Sequence, residues 1–130
     1  MVSRITSFGL LGIDAFPVTV EVDLAGGLPA FEIVGLPDTA VKESKERVRS
    51  ALKNSGHPFP AKRITVNLAP ADIKKAGPVY DLAMYIGFLC CAGTVTNDLR
   101  RVGFLGELSL LGEIRPVKGV LPMALKAREK

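Results

Sequence analysis

Few residues in this chain have reactive side chains, and their spacing excludes more chemistry than it suggests. The only histidine, His57, lies in the Pro-containing connection His57–Pro60, so no serine has a histidine–aspartate arrangement around it. The two cysteines, Cys90 and Cys91, are adjacent within an apolar run. Neighbours of that kind are poorly placed to bond each other and read as buried thiols of a cytosolic protein. One histidine and two such thiols give no basis for a histidine–cysteine metal site. There is no GxxxxGK[ST] phosphate loop and no GxGxxG, and Gly103, Gly106 and Gly112 sit where turns and bulges need them. Two features are left. One is the turn Lys74-Lys75-Ala76-Gly77-Pro78, which opens onto an apolar stretch and can display a side chain at the head of a buried helix. The other is a scatter of cations, Lys42, Lys45, Arg47, Arg49, Arg100 and Arg101. They suit contact with phosphates or another subunit, or simply a solvated face.

The elements that must position these residues follow from periodicity. Val79 to Ala92 is almost wholly apolar, with Asp81 its only charge. The apolar positions occupy every side, which predicts a helix buried on most sides. The run is shorter than the roughly 20 residues a bilayer needs. Pro78 suits the first turn, and Asp81 is favoured there by the helix dipole. Upstream, Ser3–Leu10, Phe16–Leu24 and Ala30–Val34 read as strands. In the second, Val18, Val20 and Val22 alternate with Thr19, Glu21 and Asp23. The Ala25-Gly26-Gly27 turn predicts that the second and third strands pair as antiparallel neighbours. A helix starting at Pro37-Asp38-Thr39 and ending at Asn54-Ser55-Gly56 carries a Val41, Val48, Leu52 stripe with Ala51 beside it. Arg63–Leu68 is a further strand, and Ala69–Pro78 a loop. Thr94–Arg101 is a polar loop. Val102–Leu108 and Glu113–Pro116 are strands able to form a hairpin, and Gly119–Lys130 starts another helix. That helix has no stop signal, so the chain is expected to continue in a longer protein.

The 130 residues, 48% hydrophobic and 23% charged, suit one domain with its own core, and no low-complexity segment or internal repeat is evident. No basic stretch leads into an apolar run at the N-terminus, so no signal peptide is expected. The net charge of +4 permits weak attraction to nucleic acid. Strands in runs, without strict alternation with helices, predict an α+β sheet covered by helices and not a doubly wound nucleotide fold.

The stretches IVGLPDTAVKESKERVRSAL, RITVNLAPADIKKAGPVYDLAM and FLGELSLLGEIRPVKGVLPMAL resemble the amino-terminal domain of the magnesium-chelatase-like AAA+ family called YifB or ComM. The resemblance covers essentially the whole chain. It implies a mixed sheet covered by helices, similar to the proteolytic domain of Lon, to a ribosomal small-subunit protein and to the GHMP kinases. It also implies a longer protein whose AAA+ module follows this domain, binds ATP and Mg, and closes a homo-oligomeric ring, expected to be a hexamer. DNA is the implied substrate, with a role in competence and branch migration, and no membrane is involved.

In Lon a serine after a Lys-x-Gly-Pro turn attacks the peptide carbonyl, and a lysine on a later Gly-Gly-x-Lys segment takes its proton. Here the matching turn is Lys75-Ala76-Gly77-Pro78, and the next residue is Val79. The later segment is Pro116–Leu121, and the lysine position falls on Leu121, with Lys118 three residues earlier. Both dyad positions are aliphatic, so the resemblance implies a non-catalytic Lon-like domain. Ser109 matches a non-catalytic position. The alternatives are an ATP-dependent serine protease and a subunit that inserts magnesium into porphyrin. No cofactor is expected within these 130 residues.

Overall fold

The computed structural model describes residues 1–129. Four strands form the main sheet: β1 (Val2–Leu11), β2 (Asp14–Ala25), β3 (Ala30–Val34) and, after two helices, β4 (Arg63–Ala69). The helices are α1 (Thr39–Lys42) and α2 (Ser44–Asn54). α3 (Asp81–Cys91) follows, then β5 (Glu107–Leu108), β6 (Ile114–Arg115) and α4 (Val120–Arg128). The sheet order is β1-β2-β4-β3. β1 and β4 run antiparallel to β2, while β3 runs parallel to β4. The class is therefore α+β with a mixed sheet.

The expected pairing of the second and third strands does not occur. Both edges of β2 are occupied, one by β1 and the other by β4 through seven residue pairs from Thr19↔Ala69 to Ala25↔Arg63. β3 reaches the sheet only beyond β4, and residues 35–62 supply the long crossover a parallel pair requires. The Gly-Gly turn changes the chain's direction without making a hairpin. Gly35 makes the exit from β3 possible. Its φ is +104°, and a Cβ there would lie 2.2 Å from the carbonyl oxygen of Leu68, so only glycine fits.

Alternation decides the two faces of the sheet. Ile5, Val18, Val20, Val22, Ile64, Val66, Leu68, Phe31 and Ile33 are buried on one face. α3 supplies Ala83, Met84 and Phe88 to the same core, and the 41–52 stripe adds Val41, Val48 and Leu52. Every residue of α3 is buried or half-buried, as a helix apolar on all sides requires. Gly87 lets α3 approach closely: a Cβ there would meet Val22 at 2.6 Å, and Ser3 Oγ donates to the Gly87 carbonyl at 2.9 Å. The other face carries Arg4, Glu21 and Asn67, with Arg4 Nε and Asn67 Nδ2 both donating to Glu21. Those bonds hold the Glu21 carboxyl below its usual pKa. α4 packs on this second face at the Leu10 end of β1, with Gly119 against Leu10 and Met123 buried.

Four further boundaries differ from expectation. The helix after Pro37 breaks at Glu43 into α1 and α2. Pro78 lies in the turn before α3 instead of in its first turn. The expected strand Val102–Leu108 shrinks to Glu107–Leu108, paired with Ile114–Arg115 in a short hairpin. Residues 103–104 instead lie along β1, where Phe104 N donates to the Thr6 carbonyl and Ser7 Oγ to the Phe104 carbonyl. The expected helix Gly119–Lys130 ends at Arg128, and Lys130 lies outside the described residues.

Candidate functional site

The Gly77-Pro78 turn opens onto a cleft of about 530 Å³. Its walls are Gly9 and Leu10 of β1, the 76–79 turn, Glu107, the 116–118 segment and Met123. Val79 forms part of the wall and is 7% exposed. Leu121 is 70% exposed on α4 and is not part of the wall. The cation that does line the cleft is Lys118. The structure therefore brings Val79 and Lys118 to one cavity and leaves Leu121 outside it. Ser109 is buried in the hairpin, where its Oγ accepts the Glu113 amide at 3.0 Å.

Lys75 is held by the fold. It is fully buried, and its ammonium donates to the carbonyl of Gly35 at 2.7 Å and to those of Pro70 and Ile73. Burial lowers its pKa, and Asp72 partly opposes the shift. Its backbone is tied as well. Lys75 N donates to the Leu36 carbonyl and Asp38 N to the Lys75 carbonyl, both at 2.9 Å. Asp38 caps α1 through the Val41 amide at 2.8 Å, and its second oxygen accepts the Gly77 amide at 3.3 Å. Pro78 has no N–H, so neither residue of this Gly-Pro pair has a free amide to offer an oxyanion. Lys75 acts as a rivet between the loop before α3 and the exit from β3.

A second buried charge anchors the head of α3. Asp81 is fully buried and accepts from Ser44 Oγ at 2.5 Å, Arg47 Nε at 2.5 Å, Arg47 Nη2 at 3.1 Å and the Leu108 amide at 3.1 Å. Arg47 also donates to the Ala40 carbonyl at 3.0 Å. Burial is the largest single influence and works against the Arg47 charge, but the bond to Asp81 together with the attraction of the Asp81, Glu107 and Glu43 carboxylates outweighs it and raises the Arg47 pKa. One carboxylate thus joins α2, α3 and β5. Periodicity carried a signal for this. Ser44 completes the stripe Val41, Ser44, Val48, Leu52, and a polar residue on such a stripe needs an inward partner.

The six cations divide by geometry. Lys42 is exposed at the end of α1, and Lys45 is half-buried on α2. Arg47 is committed to Asp81. Arg49 lies over the rings of Phe31 and Phe59, at 5.9 and 5.2 Å, and pairs with Glu46 at 3.2 Å. Arg100 and Arg101 are exposed, with Arg100 held by Asp98 at 2.8 Å. They line a second cleft of about 590 Å³ with Thr6, Phe8, Thr19 and Ala127. His57 packs edge-on against Tyr85. Cys91 is buried and Cys90 half-buried, both as free thiols. No helix among the described residues is long and apolar enough to cross a membrane.

Residues 20–130 match the family model described as subunit ChlI of Mg-chelatase. The chain is 49% identical over 118 residues to the uncharacterized protein YifB of Escherichia coli, covering 90% of this chain and 23% of that protein. It is 48% identical over 120 residues to the competence protein ComM of Haemophilus influenzae, covering 92% and 24%. An uncharacterized protein of Mycobacterium tuberculosis is 43% identical over 126 residues, covering 96% and 25%. The chain thus spans about a quarter of the length of the curated relatives it matches. By this similarity the chain belongs to the magnesium-chelatase-like family that includes YifB and ComM.

Proposed function

We propose that this domain is a non-catalytic, Lon-like accessory domain of a longer AAA+ ATPase that acts on DNA, in competence and branch migration. The observation that carries the reading is the cleft below the Gly77-Pro78 turn. The side chain at its head is the aliphatic Val79, and the lysine of the turn is spent on three backbone carbonyls. Acyl transfer needs a hydroxyl or thiol nucleophile beside a free base; Lys118 lines the cleft, but no hydroxyl or thiol does. A cleft of this kind suits holding or assembly. The competence name of one relative supports a DNA role.

ATP and Mg would be held elsewhere in the longer protein. The 130 residues contain no phosphate loop, and no three His, Cys, Asp or Glu among the described residues are grouped to hold a metal. The hexameric ring would close through the same missing module, so this chain alone is expected to be a monomer or weak oligomer in light scattering. A cytoplasmic location fits this role. The direct test is ATP-dependent movement of a branched DNA junction by the longer protein. Junction movement supports the reading, and ATP hydrolysis indifferent to DNA contradicts it. A magnesium-chelatase subunit is the second reading, favoured by the description of the matched family. Metal insertion into a porphyrin would select it.

A further inference from the structure

We propose that the cleft between Arg100–Arg101 and the Thr6–Thr19 pair seats the phosphodiester backbone of a nucleic-acid strand. The inference builds on the DNA reading above and says which surface would make the contact. The cleft lies where the second face of the sheet, the 100–103 loop and α4 meet, and no carboxylate lines it. Its wall holds two guanidinium groups, and the Arg101 side chain makes no ion pair or hydrogen bond among the described residues. Thr6 and Thr19 are directly paired across β1 and β2 and stand side by side on the floor. Neither hydroxyl has a hydrogen-bond partner among the described residues, and both are half-buried. Fixed hydroxyls beside arginines are the usual donors to phosphate oxygens.

The competing basic surface is weaker. On α1 and α2, Arg47 serves Asp81 and Arg49 serves Phe31, Phe59 and Glu46, which leaves only the lysines Lys42, Lys45 and Lys53. The chemistry also limits what the cleft reads. Its one aromatic, Phe8, is 3% exposed and offers no face for base stacking. Recognition there is of phosphate, not of sequence. Asp98 tempers the site by holding Arg100 through two hydrogen bonds, from Nε at 2.9 Å and Nη2 at 2.8 Å.

The test is fluorescence anisotropy of the chain with a single-stranded oligonucleotide across a salt series, with folding of each variant checked by circular dichroism. Wild type binds weakly at low salt. Arg101→Ala weakens binding and lowers the slope of log affinity against log salt by about 0.7, the loss of one phosphate contact. Thr6→Val with Thr19→Val weakens it further. Asp98→Asn strengthens it, a gain that a merely structural role for Asp98 would not give. Inorganic phosphate at the oligonucleotide's phosphate concentration leaves the complex intact, and full displacement would overturn the strand assignment in favour of a free anion. Binding unchanged in Arg101→Ala but lost in Lys42→Ala with Lys45→Ala would overturn this cleft while leaving the DNA reading standing. No binding by wild type at low salt would overturn the cleft, and junction movement by the longer protein would then decide the DNA reading separately.

Discussion

Replacing Asp81 by alanine should be among the most damaging substitutions in the protein. The carboxylate is fully buried and accepts four hydrogen bonds, two from Arg47 and one each from Ser44 and the Leu108 amide. Asp81→Ala leaves a guanidinium that is 19% exposed with only the distant, exposed Glu43 carboxylate at 3.9 Å, and two buried donors without an acceptor. Breaking one side of a buried pair typically costs about 3–5 kcal/mol. That is a large part of the roughly 5–15 kcal/mol that holds a domain together. The melting temperature should fall by roughly 10–20 °C. Arg47→Ala should cost a similar amount, because it strands the carboxylate. The double variant should cost clearly less than the sum, since each single change already removes the shared interaction. Urea denaturation of the four proteins gives the coupling energy, and hydrogen exchange at the Leu108 amide reports whether β5 has come away from α3. A loss below about 1 kcal/mol for Asp81→Ala, or strict additivity, would refute the claim that one carboxylate pins three elements.

Lys75→Met should destabilise by about 2–4 kcal/mol near neutral pH, because three buried carbonyls lose their donor while a costly buried charge also goes. Burial sets the Lys75 pKa below the ordinary 10.5. Between the lowered value and 10.5 the unfolded chain binds more protons, so wild-type stability should gain from Lys75 as pH rises through that window. Urea titrations of wild type and Lys75→Met at several alkaline pH values should show that gain only in wild type. Gly35→Ala should cost at least about 2–4 kcal/mol, read from thermal melts, because a side chain there meets the Leu68 carbonyl and strains a left-handed φ. Val79→Ser with Leu121→Lys should yield no peptide cleavage in a fluorogenic assay, since Leu121 is not part of the cleft wall that holds Val79.

Local pattern carried the strands well. The Val18, Val20, Val22 alternation appears as the buried face of β2, and Ala30–Val34 forms β3 with the expected bounds. Pairing was less legible. Whether β2 meets β3 depends on β4, some forty residues along the chain from β2, and no turn residue encodes that competition. The buried helix was readable because its apolar residues surround it. Its charge partner was not, because Arg47 lies among six other charged residues from Lys42 to Lys53 and looks like part of a solvated face. Arg49 was hidden in the same way, since its rings come from β3 and the connection before β4. The Lys75-to-Val79 turn was located from its Gly-Pro step. That Lys75 points inward could not be read, because its three acceptors are backbone carbonyls from two separate segments.

The reading proposed above turns on the cleft under the Gly77-Pro78 turn, which has no nucleophile at its head. It is tested most directly by incubating the longer protein, with and without ATP, with a fluorogenic peptide and with unfolded casein. The structure predicts no cleavage above background in either state, because Val79 heads the cleft, Lys75 is spent on carbonyls and the Gly77 amide is spent on Asp38. Turnover that a serine-directed reagent abolishes, and that Ser109→Ala removes, would contradict it and place the nucleophile in the β5–β6 hairpin.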